Sequence, residues 1–208
     1  MRVLVAVLMA LGAAIQTSPS QPPPFHLVEA TIDEVRAALA SRQITCRALV
    51  EQYIKRIEAF DKSGPALNAV QTINRRALQD AERLDAAFAA SGPVGPLHCT
   101  PMLVKDQVET IDMPTTYGSV LFKDFIPQRD ATIVTRLKKA GAVIVAKSTM
   151  GEYASGYLGS AFGIVRNAYD PARSASARQA APALASPRIS RPSASARTPA
   201  DRFADPRR

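Results

Sequence analysis

The chain has 208 residues, a formal charge of +8, ordinary apolar content and no Trp. That length suits one domain, and two cysteines, Cys46 and Cys99, are too few for a disulfide framework or a structural metal site. From Ser174 onward seven Arg and two Asp carry +5 of the charge, so the body before it is nearly balanced and is not marked as a nucleic-acid-binding domain.

Residues 1–18 have the pattern of an export signal. Arg2 supplies a short positive start, and Val3 to Ala14 form an apolar run too short for a membrane span. Cleavage is expected between Ala13 and Ser18, leaving a Pro-rich linker over residues 19–26 and a protein outside the cytoplasm. No later segment has the length and apolarity of a membrane span.

Residues 27–174 then alternate helix and strand signals. Thr31 with Glu34 three residues on is a capping box, opening a helix with Ile32, Val35, Ala38 and Leu39 on one face. Thr45 starts a second helix with Leu49, Tyr53, Ile54, Ile57 and Phe60 at helical spacing, closed by Ser63-Gly64-Pro65. Leu67 to Ile73 reads as a short strand, and a third helix runs from about Arg75 to Ala90 through Leu78, Ala81, Leu84 and Phe88. These helices read as scaffold.

Gly95 to Asp106, G-P-L-H-C-T-P-M-L-V-K-D, is a turn followed by an apolar strand that ends on Lys105. A lysine there has two fates. Most snorkel the ammonium into water, whereas a buried one loses proton affinity and can serve as a neutral base. A polar loop over Met113–Ser119 follows, and Asp130 is placed to N-cap a helix with Ile133, Val134 and Leu137 inward. Gly141 stops that helix before the apolar strand Ala142–Ala146, and Lys147-Ser-Thr-Met-Gly-Glu152 falls at the strand's carboxyl end, where α/β proteins bind ligands. The fold class is α/β, with a sheet covered on both faces. Gly156, Gly159 and Gly163 lack the Gly-Lys-Ser/Thr ending of a phosphate loop, which excludes that mode of nucleotide binding. For Cys46 and Cys99 a single bridge stays open, with two buried thiols as the expected state.

Taken together, P-L-H-C-T-P-M-L-V-K-D, P-T-T-Y-G-S, R-D-A-T-I-V-T-R-L-K-K-A-G-A-V-I-V-A-K-S-T-M-G-E-Y and N-A-Y-D-P-A-R-S resemble the amidase signature family in order and spacing. The resemblance covers Leu27 to Ser174, the amino-terminal part of a longer domain. It implies an α/β/α fold around a mixed sheet and hydrolysis of a small-molecule or peptide carboxamide without metal or cofactor. It also implies a serine–serine–lysine catalytic set in which Lys105 is the general base.

Three departures stand out. Cys99 occupies a position where the family usually has glycine, and Gly151 one that usually carries a small polar or charged residue. After Ser174 the family expects P-G-G-S-S-G-G and then T-D-T-G-G-S-I-R, which would supply the bridging and nucleophilic serines. Neither motif is present, so Ser174, Ser176 and the later serines have no glycine-rich elbow to hold them near Lys105.

Residues 175–208 are dominated by Arg, Ala, Ser and Pro, a composition that cannot bury a core and is expected to be disordered. Joining the third base of each codon to the first two of the next, with free synonymous choice, turns Ser176–Pro182 into G-S-S-G-G-T. The same shift turns Pro182–Ala204 into G-A-G-V-A-A-N-F-A-A-V-G-I-G-T-D-T-G-G-S-I-R. Both missing motifs emerge in order, which predicts a frameshift between Ser174 and Ser176 and an inactive product. The competing reading is a non-catalytic binding protein whose basic tail meets an anionic partner.

Overall fold

The computed structural model describes residues 25–28, 30–156 and 158–173. The expected export signal, most of the linker, and the tail from Ser174 onward lie outside the described residues.

Helix α1 (Ile32–Ala40) begins at the capping box. The Glu34 N–H donates to Thr31 Oγ1 (3.2 Å), and the Thr31 N–H donates to the Glu34 carboxylate (2.6 Å). Val35, Ala38 and Leu39 face inward, whereas Ile32, at the first turn, stays partly in solvent. Helix α2 (Cys46–Phe60) is capped by Thr45 and buries Leu49, Val50, Tyr53 and Ile57, while Phe60 is left at the wet end under the Arg56 guanidinium. The carboxylate of Asp61, fully buried, then accepts from the N–H groups of Ala69 and Val70 and turns the chain into strand β1 (Val70–Ile73). Helix α3 (Ala77–Ser91) packs chiefly against α2, where Asp85 accepts from the N–H groups of Cys46 (2.7 Å) and Arg47 (2.9 Å). A carboxylate at a helix amino terminus satisfies orphan donors there and meets the positive end of the dipole.

Strands β2 (Pro101–Lys105) and β3 (Val143–Ser148) form with β1 a mixed three-stranded sheet in the order β1-β3-β2. β3 runs parallel to β2 and antiparallel to β1. The link between β2 and β3 contains helix α4 (Thr132–Lys139), as a crossover between parallel strands requires. Val143, Val145 and Leu103 join the core under α1, α2 and α3, while Ile144, Val104 and Met102 pack with Val134, Leu137 and Met113 on the opposite face. Three layers therefore bury β3 completely. A two-residue pair, β4 (Leu158–Gly159) and β5 (Gly163–Ile164), follows as a small hairpin. Among the described residues no helix is long and apolar enough to cross a membrane.

Five local expectations change, the first being that β1 starts at Val70 and not at Leu67. Asp130 does not cap α4. Its carboxylate accepts from the Ile111 N–H (2.9 Å) and from Lys138 (2.8 Å), and Ala131 takes the cap position. Ile133 is exposed, because the inward stripe of this short helix is Val134 with Leu137. Strand β3 extends through Lys147 and Ser148 instead of ending at Ala146. Cys46 and Cys99 are joined in a disulfide, not two thiols, since folding brings their Cα atoms to 5.5 Å across 53 residues of chain.

The turn before β2 depends on Gly141. Its φ is +93°, and a Cβ there would lie 2.9 Å from the His98 Cα, so only glycine lets the end of α4 meet the Gly95–Thr100 turn. His98 itself is structural: it stacks on Phe88 with ring centroids 5.3 Å apart and accepts from the Val94 N–H.

Candidate active site

Lys105 is the last residue of β2 and pairs in register with Ser148, the last residue of β3. Parallel neighbours in register project their side chains to the same face of a sheet. Lys105 is half-buried, and burial holds its pKa below the ordinary lysine range, with the nearby Asp106 carboxylate pulling the other way.

Asp106 organises the loop beyond the strand. It is fully buried, and its Oδ1 accepts from the Thr116 N–H (2.8 Å). Its Oδ2 accepts from Thr116 Oγ1 (2.6 Å) and from the Gly118 N–H (2.8 Å). The Met113–Ser119 loop is thus wrapped on one carboxylate, by charge-assisted bonds of the stronger kind. Gly118 makes this closure sterically feasible: its φ is +73°, and an added Cβ would sit 2.7 Å from the Met150 carbonyl oxygen.

Lys147 locks the same region from β3. It is fully buried, and its ammonium donates to the carbonyl of Asp106 (3.0 Å), the carbonyl of Pro114 (2.9 Å) and Thr115 Oγ1. Three protons thus meet three acceptors, which is how a buried lysine is tolerated. Burial still lowers its pKa to about 8, against the pull of Asp106 and Glu109. Together Asp106 and Lys147 clamp the peptide immediately after Lys105 to the loop and to β3. Sequence reasoning missed both roles. The signal available was a Lys-Asp pair followed ten residues later by Thr-x-Gly, together with a lysine inside an otherwise apolar strand.

The carboxyl end of the sheet also holds polar atoms that no described group satisfies. Ser148 Oγ, Thr149 Oγ1 and Gln71 Oε1 are buried without a hydrogen-bond partner among the described residues. Gln71 lies on β1, between the register pairs Val70–Ser148 and Thr72–Lys147, so the three belong to one neighbourhood around the end of β3. Two further buried atoms of this kind, Tyr53 Oη and Asp61 Oδ2, lie in and just after α2.

Beyond β3, Gly151 has no room for a side chain, since a Cβ would fall 1.9 Å from the Gly156 carbonyl oxygen. The absence of a polar side chain at that position is therefore a local steric necessity. Glu152 Oε1 accepts from Ser160 Oγ (3.0 Å), which in turn accepts from the Val120 N–H, and this joins the hairpin to the loop after Gly118. Among the described residues no group of three or more His, Cys, Asp or Glu converges as a metal site would require. A separate cleft of about 210 Å³, lined by Arg76, Asp80, Arg83, Asp112 and Lys138, has its cations paired with carboxylates: Arg76 and Lys138 with Asp112 (both 3.0 Å), and Arg83 with Asp80 (2.6 Å). It offers no unpaired cation to an anionic ligand. Among the residues named from the sequence, Lys105 ends β2, half-buried next to Asp106, and the serines from Ser174 onward lie outside the described residues.

The Amidase family model matches residues 48–177, from α2 to just beyond Asp170-Pro171. The glutamyl-tRNA(Gln) amidotransferase subunit of Koribacter versatilis is 40% identical over 146 residues, covering 69% of this chain and 30% of that protein. Its counterpart from Bdellovibrio bacteriovorus is 36% identical over 148 residues, covering 70% of this chain and 30% of the relative. Among solved structures, native peptide amidase from Stenotrophomonas maltophilia superposes with a TM-score of 0.66 at 32% identity, over 68% of this chain and 30% of that one. An amidase family protein from Bacillus anthracis gives 0.66 at 33%, over 70% and 30%. The chain therefore spans about 30% of the length of the relatives it matches. The family model covers more than half of the chain, and the relatives and solved structures agree with it, so the chain belongs to the amidase family.

Proposed function

We propose that this chain is the amino-terminal part of an exported serine amidase in which Lys105 is the general base, and that the form described by this sequence is catalytically silent. The observation that carries the reading is Lys105 itself: half-buried, with lowered proton affinity, at the carboxyl end of a strand beside open polar atoms. A serine hydroxyl is a poor nucleophile until a base accepts its proton. A neutral lysine takes that proton through a bridging hydroxyl and later returns it to the leaving amine. Backbone N–H groups of a glycine-rich elbow stabilise the oxyanion. This chain supplies the base but, after Ser174, neither the elbow nor the nucleophile.

The shifted-frame reading of residues 176–204 explains why. The family match ends at residue 177, beside the proposed shift between Ser174 and Ser176. Sequencing the gene across these codons tests the shift directly, and an alternate frame without the two serine motifs rejects it. For the chemistry, the purified chain is expected to give no turnover of an aryl amide, whereas the frame-restored chain turns it over and loses activity on Lys105→Ala. Turnover by the present chain, or unchanged activity of the restored chain after Lys105→Ala, overturns the assignment. The substrate class is a small-molecule or peptide amide, with no cofactor.

The second reading, a binding protein using its basic tail, is favoured only by the +5 charge after Ser174. Salt-sensitive binding of a nucleic acid that vanishes on deleting residues 175–208 would support it over the first.

A further inference from the structure

We infer that the Cys46–Cys99 disulfide is a redox staple: it ties the strand that carries Lys105 to the helical layer, and the fold is complete only after oxidation. Cys46 is the first residue of α2, and Cys99 lies two residues before β2. Both are fully buried. The backbone bonds of the turn around Cys99 run toward α4 and β3: Leu97 N–H to the Ala140 carbonyl (2.9 Å), Cys99 N–H to the Gly141 carbonyl (2.8 Å) and Val143 N–H to the Thr100 carbonyl (3.0 Å). The bridge adds a covalent link in the other direction, to an α2 terminus that Asp85 of α3 already anchors.

The backbone at Cys99 points the same way. Its φ is +56°, in the left-handed region that favours glycine. A side chain with a Cβ is disfavoured at such a position, although six other non-glycine residues among those described, Ala66 and Ala154 included, also adopt a positive φ. At Cys99 this conformation accompanies a sulfur bonded to Cys46, with the Cα atoms 5.5 Å apart.

Formation is a thiol–disulfide exchange. The two thiols give up two protons and two electrons to a disulfide oxidant, protein or small-molecule, which leaves as two thiols while the Cys46–Cys99 bond forms. Such bonds persist in oxidising compartments and are reduced in the cytosol. The inference is independent of the amidase reading and needs no turnover to test.

The chain, purified from an oxidising compartment, is denatured and treated with an alkylating agent, and its urea unfolding is followed with and without dithiothreitol. The expected result is no alkylation before reduction and two labels after it. Closing a loop of 53 residues predicts that reduction raises the unfolding equilibrium constant roughly a thousandfold. A reduced chain that is unfolded without urea is the limiting form of that outcome. The double variant Cys46→Ala/Cys99→Gly, which removes the bridge and puts glycine at the left-handed position, is expected to be less stable than the oxidised chain and indifferent to dithiothreitol. Two labels without reduction, an unfolding curve unchanged by dithiothreitol, or a double variant as stable as the oxidised chain would overturn the proposal.

Discussion

Replacing Asp106 by Asn tests the claim that one carboxylate holds the loop beside Lys105. The two side chains have nearly the same shape, so the change is electrostatic. With the amide oxygen in the place of Oδ2, the bonds from Thr116 Oγ1 and the Gly118 N–H survive as neutral ones. The amide NH₂ then faces the Thr116 N–H across a distance that was 2.8 Å to an acceptor. In the opposite orientation the Thr116 hydroxyl turns to accept from the NH₂, the Thr116 N–H keeps its acceptor, and the Gly118 N–H keeps Thr116 Oγ1 at 3.1 Å, so this orientation is the better one. It weakens two charge-assisted bonds and removes the shorter of the two acceptors of the Gly118 N–H, at about 1 kcal/mol each. Relief of the buried charge offsets part of this, leaving a net loss of about 2 kcal/mol. Urea unfolding followed by far-ultraviolet circular dichroism measures it, since the chain has no Trp. Hydrogen exchange at the Thr116 and Gly118 amides should accelerate well beyond that of Val145, in the centre of β3. A loss below about 0.5 kcal/mol, with Gly118 exchange unchanged, would refute the clamp.

The remaining predictions concern charge and packing. Lys147 has a folded-state pKa near 8, below its unfolded value of 10.5, so the unfolded chain binds more protons between these limits and stability rises with pH there. From pH 7 to 9.5 the gain expected from Lys147 is about 2 kcal/mol; Lys105 adds in the same direction, and Lys147→Met should flatten most of the rise in urea titrations at each pH. A pH-independent stability over that range would contradict the burial of a charged Lys147. Leu49 is fully buried between α2 and the sheet, so Leu49→Ala should cost about 3 kcal/mol of unfolding free energy, read from the urea midpoint. A cost under about 1 kcal/mol would mean that the helical layer is not packed as described.

Much of this architecture follows from local patterns. The capping box at Thr31, the Thr45 cap, the apolar stripes of α2 and α3 and the apolar run into β3 are short-range signals, and each dictates its element with little help from the rest of the chain. The ordered motifs from Pro96 to Ser174 likewise carried the family, because their order and spacing are local features of the chain. What depends on three dimensions is different in kind. Ile133 and Ile32 look inward by periodicity, but whether a stripe is covered depends on which helix lies opposite. Asp130 has the chemistry of a cap, yet Lys138 and the Ile111 N–H compete for its carboxylate and win. Lys147 reads as a strand-end polar residue until the sheet register places Asp106, Pro114 and Thr115 around its ammonium. Cys46 and Cys99 become partners only when α2 and the turn before β2 meet. Periodicity and capping act within a few residues and mark most of the elements, while the motif resemblance marks Lys105 as the candidate base. Pairing of charges, thiols and hydrogen-bonding groups far apart in the chain needs a distance that only the tertiary structure supplies, as the 53-residue separation of the two cysteines illustrates.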